Sequence, residues 1–242
     1  MRSNLSVINV YNKKNIKSKL VTQLLYGESF KTIKKDGAWI KIKNDLDGYK
    51  GFIIKKNFFT KQKNTHKVCN LSATLYSKPG FKIKKKLSFG SKIKVIKKKN
   101  NFHKFDNFWI RKKDLRKINY KTKDIFKNIK KFRTVKYKWG GKHYTGVDCS
   151  GLVQLFINFN NKFCPRDTKD QMKYFKKKIE LKNIRKNDLI FWKGHVAIAI
   201  SKHNLIHAYG PLGKTIIMPI KKTIIRIYKT AKLKVIGIRR IV

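Results

Sequence analysis

The chain begins with short segments in which apolar and polar residues roughly alternate, separated by Gly, Asn and Asp, and this pattern continues to about residue 115. Period-two alternation bounded by turn residues predicts β-strands. From about Lys121 the apolar residues recur at helical spacing, and after Asn187 the strand pattern returns. Helices followed by strands predict an α+β domain with helices packed on one face of an antiparallel sheet.

The first 115 residues contain an internal repeat. Residues 24–35 are echoed by residues 86–97, and residues 51–58 correspond to residues 108–115 in the same order. Because each copy consists of short β-rich segments with turn residues between them, we predict two small all-β barrels. The predicted domains are residues 1–60, 68–116 and 121–242, with 61–67 as the linker between the first two.

Three helices and five strands are predicted for residues 121–242. The first helix has Thr122 as a possible cap and a stripe formed by Ile125, Ile129 and Phe132. The second helix begins at Cys149 behind Asp148, which stands where a cap belongs. The third helix is predicted for 167–175, and the strands for 189–192, 195–200, 205–209, 215–220 and 234–238.

Cys149 is the residue with the clearest chemical potential, because it opens a helix directly after a turn. Backbone N–H groups and the helix dipole at this position favour a thiolate, and the same N–H groups suit an oxyanion formed when sulfur attacks a carbonyl. We therefore expect Cys149 to be a nucleophile. The alternative is a small buried apolar residue, and Cys69 and Cys164 are interpreted in that way.

A thiol nucleophile needs a base, and that base needs a partner that orients it. His195 opens one predicted strand and His207 lies in the next strand along the chain. Antiparallel pairing places both imidazoles on one face of the sheet if the loop between the strands has an odd length or contains a bulge. The alternative is that each histidine is an ordinary strand residue with a satisfied hydrogen bond.

The charge of the chain is extreme: 62 Lys and Arg against 12 Asp and Glu give a net charge of +50 at pH 7. Such a charge attracts polyanions by releasing their counterions. The lysines are spread over the whole length, however, and no zinc-finger, basic-zipper or aromatic RNA-binding signature accompanies them. Non-specific polyanion contact and a solvated lysine-rich surface both stay open. A hydrophobic content of 41% is enough for a folded core.

Three cysteines, an odd number without paired Cys/His spacing, favour neither a disulfide framework nor a zinc site. No apolar run reaches the roughly 18 residues of a membrane span, and residues 1–15 show no apolar export signal. We therefore expect a cytoplasmic protein that has no membrane partner and needs no metal or organic cofactor.

Six segments in chain order resemble the NlpC family of papain-like cysteine peptidases. They are 137–141 (YKWGG), 146–154 (GVDCSGLVQ), 165–168 (PRDT) with Gln171, 188–192 (DLIFW), 194–196 (GHV) and 206–208 (IHA). The resemblance covers about residues 121–242, and the two N-terminal copies resemble bacterial SH3-type domains. It implies a papain-like peptidase domain that cleaves peptide stems of peptidoglycan, often between γ-D-glutamate and a diamino acid.

The resemblance also implies a role for individual residues. Cys149 is the expected nucleophile, His195 the general base and acid, and His207 the third member that orients His195. Tyr137 matches a family tyrosine whose hydroxyl lies near the reacting carbonyl; the alternative for it is a core aromatic. The positions that match holders of the substrate's amine or its γ-D-glutamyl carboxylate are Asp148, Ser150 and Thr168, for which ordinary helix capping is the alternative.

Two SH3-like copies before a peptidase domain resemble the layout of γ-D-glutamyl-L-diamino acid endopeptidases that recycle muropeptides. In those enzymes the first SH3 module recognises a free N-terminal L-alanine. Glu28 and Tyr49 occupy the matching motif positions here, and an acidic side chain suits a substrate ammonium. Glu28 is equally compatible with a place on the barrel surface.

The sequence as a whole predicts a cytoplasmic cysteine endopeptidase that acts on peptidoglycan stem peptides and functions in muropeptide recycling. The alternative is a basic polyanion-binding or wall-binding protein with a vestigial peptidase domain. The diamino acid on the leaving side, the need for a free N-terminus and the oligomeric state are left open by the sequence.

Overall fold

The computed structural model describes residues 1–241. It divides into two compact units. Unit 1 comprises residues 1–121 together with 140–144, and unit 2 comprises residues 122–139 together with the chain from 145 onward. The start of unit 2 lies next to the boundary predicted at residue 121, but the three-domain division itself stays a prediction.

Unit 1 is built of short antiparallel strands. They are β1 Val7–Tyr11, β2 Leu20–Leu25, β3 Phe30–Asp36, β4 Trp39–Asn44, β5 Lys50–Ile54, β6 His66–Val68, β7 Ser72–Lys78, β8 Phe81–Ser88, β9 Lys92–Ile93, β10 Lys97–Lys99, β11 Phe102–Phe105, β12 Phe108–Arg111 and β13 Leu115–Lys117, with β14 at Lys142–His143. A 3-10 turn at Lys112–Asp114 precedes β13.

The strands of unit 1 form three sheets. The first copy of the repeat gives the order β2-β1-β5-β4-β3, and the second copy gives β10-β11-β12-β7-β8 together with β13-β6-β9. Each copy has its own apolar core: Phe30 and Ile42 are buried in the first, and Phe105 and Ile110 in the second. The all-β prediction is therefore confirmed, whereas these sheet orders are open and closure into barrels stays a prediction.

The sequence repeat is visible at one turn in each copy. Gly27 and Gly90 both have positive φ, 77° and 83°. In the first copy the N–H of Glu28 donates to the carbonyl of Leu25, and in the second the N–H of Ser91 donates to the carbonyl of Ser88. Glycine adopts this left-handed conformation without steric penalty, which explains why it recurs at the same place.

Unit 2 contains three helices and a six-stranded sheet. The helices are α1 Cys149–Phe159, α2 Thr168–Tyr174 and α3 Ile220–Ala231. The strands are β15 Gly146–Val147, β16 Lys177–Lys178, β17 Asp188–Trp192, β18 His195–Ala199, β19 Asn204–Tyr209, β20 Lys214–Pro219 and β21 Gly237–Arg240, and the 3-10 turns are Ile129–Phe132, Leu181–Asn183 and Gly210–Leu212. The antiparallel sheet has the order β16-β21-β17-β18-β19-β20.

The second and third predicted helices are confirmed, but the first is wrong. Residues 124–132 form turns followed by the 3-10 turn, because Asn128 adopts a left-handed conformation with φ 69° that an α-helix does not admit. The stripe of Ile125, Ile129 and Phe132 is nevertheless buried, since successive turns also place these side chains on the core side.

The remaining differences concern the end of the chain. Helix α3 has no counterpart in the prediction, and the strand predicted for 234–238 lies at Gly237–Arg240 instead. The other four predicted strands form within a residue or so of their expected bounds. Asn187 has φ 74°, a left-handed conformation that asparagine adopts more readily than most residues other than glycine.

Helix α1 packs against β18 and β19, and this contact positions the site. Every residue of β17 is buried, as are four of the five in β18. Helix α1 has only one residue that is not buried, Asn158. In the part of the chain that the structure describes, none of the helices combines the length and the hydropathy needed to cross a bilayer.

We predict that Gly27 tolerates no side chain. A Cβ atom at Gly27 would lie 1.9 Å from the Lys92 carbonyl oxygen, whereas one at Gly37, which also has positive φ, would meet nothing within 4 Å. Both Gly27→Ala and Gly37→Ala incur the left-handed strain of about 1–2 kcal/mol. Gly27→Ala is expected to lower the free energy of unfolding by at least about 2 kcal/mol more, measured by urea denaturation. Equal losses in the two variants would contradict the packing described for this turn.

Candidate active site

The site is built around the first turn of α1. Asp148 is the N-cap residue, with an extended backbone at φ −99° and ψ 175°, and its Oδ1 accepts a hydrogen bond of 2.6 Å from the N–H of Gly151. A side-chain oxygen in this position satisfies one of the N–H groups that a helix start leaves without a partner. The cap therefore fixes where α1 begins, and Cys149 is its first residue.

A buried ion pair lies directly behind this cap. Arg166 donates from Nη1 to Asp148 Oδ1 at 3.0 Å and from Nη2 to Oδ2 at 2.6 Å. The same Nη1 donates to the Ser150 hydroxyl at 2.8 Å. Arg166 is only 2% exposed. Paired hydrogen bonds between a guanidinium and a carboxylate are strong and geometrically specific, so Asp148 is held in one orientation.

The Cys149 sulfur is buried, and this changes its expected protonation. Burial, followed by the negative charge of Asp148, raises the pKa of the Cys149 thiol to about 11. Hydrogen bonds from the backbone of Val196 and Ser150 and from the side chain of Thr168 act in the opposite direction but do not outweigh burial. The expectation of a resting thiolate is therefore wrong: at neutral pH the sulfur carries its proton.

His195 and His207 meet on one face of the sheet. The hairpin register pairs Ile198 with Ile206 and Ala199 with Leu205, and the N–H of Ile200 donates to the carbonyl of Asn204, which leaves a three-residue loop at 201–203. An odd loop length is the condition that the sequence analysis set for same-face placement. His195 Nε2 lies 2.9 Å from His207 Nδ1, a hydrogen bond that leaves Nδ1 of His195 for another partner.

Both imidazoles are neutral at physiological pH. Burial lowers the pKa of His195 to about 4, and burial together with the charge of His195 lowers the pKa of His207 to about 3. Aromatic rings contribute to this apolar setting: Tyr209 stacks on His207 at 4.7 Å between centroids, and Trp192 lies 5.6 Å from His195. A neutral imidazole is the form that accepts a proton.

Tyr137 lies beside the same cluster. Its N–H donates to the Gly213 carbonyl at 2.8 Å, and its ring packs against the backbone of Gly210. Burial, followed by the charges of Cys149 and Asp148, raises the pKa of the Tyr137 hydroxyl, so the phenol keeps its proton. A neutral phenol near the sulfur is a hydrogen-bond donor.

Ser150 and Thr168 also lie at the sulfur, and a glutamine joins them that the sequence analysis did not propose as a site residue. Gln171 is fully buried in α2, and its Nε2 donates to the carbonyls of Ser150 and Pro165, each at 2.9 Å. This side chain ties the first turn of α1 to the start of α2, where Thr168 stands. The signal available in the sequence was the place of Gln171 three residues after the PRDT segment.

The two site residues predicted in the first SH3-like copy lie in unit 1. Glu28 is buried at 5% exposure and forms an ion pair with Lys142, whose Nζ lies 3.2 Å from Oε1. Its Oε2 also accepts a hydrogen bond of 3.0 Å from the N–H of Leu25. Tyr49 is half-buried, and its N–H donates to Asp47 at 3.0 Å. Lys142, itself 1% exposed, was not foreseen from the sequence.

Within residues 1–241, no group of three or more His, Cys, Asp and Glu side chains has a geometry that could hold a metal ion. The cysteines that the structure describes are all free thiols. The arrangement offers a thiol, two hydrogen-bonded neutral imidazoles and donors close to the sulfur, which is the chemical equipment for acyl transfer.

Two segments of the chain match known protein families. Residues 134–231 match the NlpC/P60 family, and residues 6–58 match the bacterial SH3 domain. The chain thus carries a domain of the NlpC/P60 family, a family of peptidoglycan hydrolases, together with a bacterial SH3 domain. The second copy of the repeat lies outside both matches, so its assignment as an SH3-like domain stays a prediction.

Two curated relatives show how far the similarity extends. The chain is 26% identical over 228 residues to a gamma-D-glutamyl-L-lysine dipeptidyl-peptidase of Bacillus cereus, an alignment that covers 79% of this chain and 68% of that protein. It is 36% identical over 72 residues to dipeptidyl-peptidase 6 of Lysinibacillus sphaericus, covering 30% of this chain and only 27% of the relative. The first similarity spans both units, and the second is local.

Solved structures share the fold. A crystal structure of an NlpC/P60 family protein from Bacillus cereus superimposes with a TM-score of 0.83 and 20% identity, covering 99% of this chain and 98% of that one. An NlpC/P60 endopeptidase from Photobacterium damselae gives a TM-score of 0.62 at 15% identity, covering 96% and 69%. At these identities the likeness concerns the fold alone.

The buried histidines predict an acid-sensitive fold. Since the folded pKa values of His195 and His207 lie below the ordinary 6.5, the unfolded chain binds more protons between pH 6.5 and about 4. The free energy of unfolding therefore falls as the pH drops through this window. His207→Gln should flatten that slope by up to about 1.4 kcal/mol per pH unit, measured by urea denaturation at several pH values. Parallel slopes for the wild type and the variant would show that His207 is not buried in its neutral form.

Proposed function

We propose that the protein is a cysteine endopeptidase that hydrolyses the bond between γ-D-glutamate and a diamino acid in peptidoglycan stem peptides. The observation that carries the proposal is the 2.9 Å hydrogen bond between His195 and His207, on the strand whose Val196 backbone reaches the Cys149 sulfur. The name of the Bacillus cereus relative supports the choice of bond. A place in muropeptide recycling belongs to the same proposal.

The reaction starts from the neutral pair. His195 Nε2 lies 2.9 Å from His207 Nδ1, and the proposed reaction uses the tautomer in which His195 Nε2–H is the donor. The Nδ1 of His195 then accepts the thiol proton as Cys149 Sγ attacks the γ-carbonyl carbon. His207 keeps this tautomer in place, since its Nδ1 accepts only from a protonated Nε2. The pKa values of thiol and imidazole both oppose charge separation before substrate binds, so proton transfer accompanies attack.

The tetrahedral intermediate needs donors for its oxyanion. N–H groups at the start of α1 and the neutral Tyr137 hydroxyl are suited to this role, because the site around the sulfur is shielded from water. The protonated His195 then gives its proton to the leaving amine as the C–N bond breaks. Water, deprotonated by His195, attacks the thioester and releases the γ-D-glutamyl product.

Substrate contacts are proposed for Asp148, Ser150 and Thr168. The lines of support differ: Thr168 already reaches the sulfur, whereas the Asp148 carboxylate accepts from Gly151 and Arg166. Ser150 shares the Arg166 guanidinium through its hydroxyl. A substrate that approaches Asp148 and Arg166 therefore meets an ion pair without net charge. The Arg166 side of the pair attracts a substrate carboxylate, and the Asp148 side attracts a substrate amine.

Recognition of a free N-terminal amine is proposed for Glu28 and Tyr49 in unit 1. Glu28 is supported by its chemistry, because a buried carboxylate suits an ammonium. Its present partner, Lys142, supplies the positive charge that a substrate amine would have to match or displace. This makes Glu28→Gln informative about the N-terminus of the substrate.

Cys149→Ala is expected to abolish release of L-Ala-γ-D-Glu from a free stem tripeptide or tetrapeptide, because no other group forms the acyl-enzyme. The assay is mass spectrometry of the products, with circular dichroism to verify the fold. Cys69→Ala, which removes a half-exposed thiol of unit 1, serves as the matched control and should cleave like the wild type. Continued cleavage by a folded Cys149→Ala protein would remove the proposal. No cleavage by the wild type, with salt-sensitive binding to a polyanion, would favour the vestigial alternative.

The acid limb of kcat/KM should lie well below the usual histidine range. Activity needs neutral His195, and its pKa of about 4 keeps the imidazole neutral until the pH approaches that value. The profile is measured on a stem tripeptide between pH 4 and 8, only where circular dichroism shows a folded protein. An acid limb centred near 6.5 would contradict the burial argument for His195.

Glu28→Gln should raise KM for stem peptides with a free N-terminus while changing kcat little, since the carboxylate is proposed to bind the amine and not the reacting atoms. Peptides with an acetylated N-terminus provide the comparison. An equal KM for free and acetylated peptides in the wild type, or no change in the variant, would reject this part of the proposal.

A further inference from the structure

Arg166 is a charged residue at the site that takes no part in the proposed making and breaking of bonds. Arg166 is buried at 2% exposure, and both of its terminal nitrogens face the Asp148 carboxylate, at 3.0 and 2.6 Å. Burial alone would lower the pKa of Arg166, but Asp148, Asp167 and Cys149 raise it overall, so the guanidinium stays charged. A buried charge of this kind is costly unless its partner is close, which here is Asp148.

Asp148 brings both a benefit and a difficulty to the nucleophile. It caps α1 through the N–H of Gly151 and thereby fixes the position of Cys149. Its negative charge, however, lies one residue from a sulfur that must become negative as its proton leaves, and after burial it is the largest cause that raises the pKa of the thiol. If its negative charge were not compensated, the Asp148 cap would therefore oppose loss of the proton from the cysteine that it positions.

We infer that Arg166 is a positioning residue that resolves this conflict: it locks the Asp148 cap and cancels the carboxylate's charge where the Cys149 sulfur becomes negative. This inference rests on the proposed use of Cys149 as nucleophile. The fork geometry explains why arginine occupies the position, because lysine offers a point charge and cannot satisfy both carboxylate oxygens in parallel. The Nη1 hydrogen bond to Ser150 extends the same lock to the second residue of α1.

Other charged groups also act on the Cys149 sulfur or on Arg166, and any test has to leave these groups unchanged. The titratable and charged groups that act on Cys149 or Arg166 are Asp148, Tyr137 and Asp167 at the start of α2. The hydrogen-bonded His195 and His207 lie on the sheet beside Val196, whose backbone reaches the sulfur. Asp148 touches both the helix start, through the N–H of Gly151, and Arg166. Substitutions at Asp148 and Arg166 therefore separate the effect of this ion pair on the sulfur from the effects of the other charged groups.

The test follows alkylation of Cys149 by iodoacetamide in the full chain, quantified by peptide mass spectrometry between pH 6 and 10. Arg166→Gln leaves the Asp148 charge unopposed and should slow alkylation at pH 8 about tenfold, the effect of one pKa unit. Asp148→Asn should accelerate it about tenfold. The double variant Asp148→Asn/Arg166→Gln, which has no charge to compensate, should return to within about threefold of the wild type.

A merely structural role for Arg166 would not give opposite signs for the two single variants. Asp170→Asn removes an exposed carboxylate in the first turn of α2 and is the matched control, with an alkylation rate like that of the wild type. An unchanged profile in Arg166→Gln overturns the inference. If that variant does not fold, the comparison of Asp148→Asn with the double variant carries the test: slower alkylation in the double variant shows that the Arg166 charge acts at the sulfur, and equal rates overturn the inference. Because alkylation needs no peptide substrate, failure here is distinguishable from failure of the proposed function.

Discussion

The start of helix α1 depends on one buried ion pair. Asp148 is at once the cap of the helix and the partner of Arg166. Two hydrogen bonds join the two side chains, one joins Asp148 to the N–H of Gly151, and one joins Arg166 to the hydroxyl of Ser150. Removing one partner of such a pair leaves an uncompensated charge in the interior, which typically costs about 3–5 kcal/mol. The position of Cys149 and the orientation of Ser150 follow from this arrangement.

Burial then decides the protonation of the reacting groups. A thiol whose pKa is raised and an imidazole whose pKa is lowered form a neutral pair at rest, so the helix start does not by itself create a thiolate. The helix contributes donors that become valuable once charge develops on sulfur or oxygen, which is when preorganised dipoles act most strongly. The second histidine contributes orientation, because its hydrogen bond fixes which nitrogen of His195 is free.

Much of this could be predicted from the sequence, and the exceptions have physical causes. The cap at Asp148, the amphipathic α1 and the His195–His207 hairpin are local patterns, and local patterns specify them well. The predicted helix at residues 122–132 failed because a single left-handed residue, Asn128, interrupts a stripe that helical and turn conformations bury equally. The neutral thiol and the Arg166 and Lys142 ion pairs were missed because they depend on burial and on contacts between residues distant in sequence.

An affinity label shows whether Cys149 attacks the γ-carbonyl of a stem peptide. The label is an L-Ala-D-Glu dipeptide that has a chloromethyl ketone in place of the scissile γ-amide. We expect one equivalent to alkylate the Cys149 sulfur and peptidase activity to disappear in proportion. Labelling of Cys69 or Cys164 in its place, or full activity in a protein completely labelled at Cys149, would contradict it.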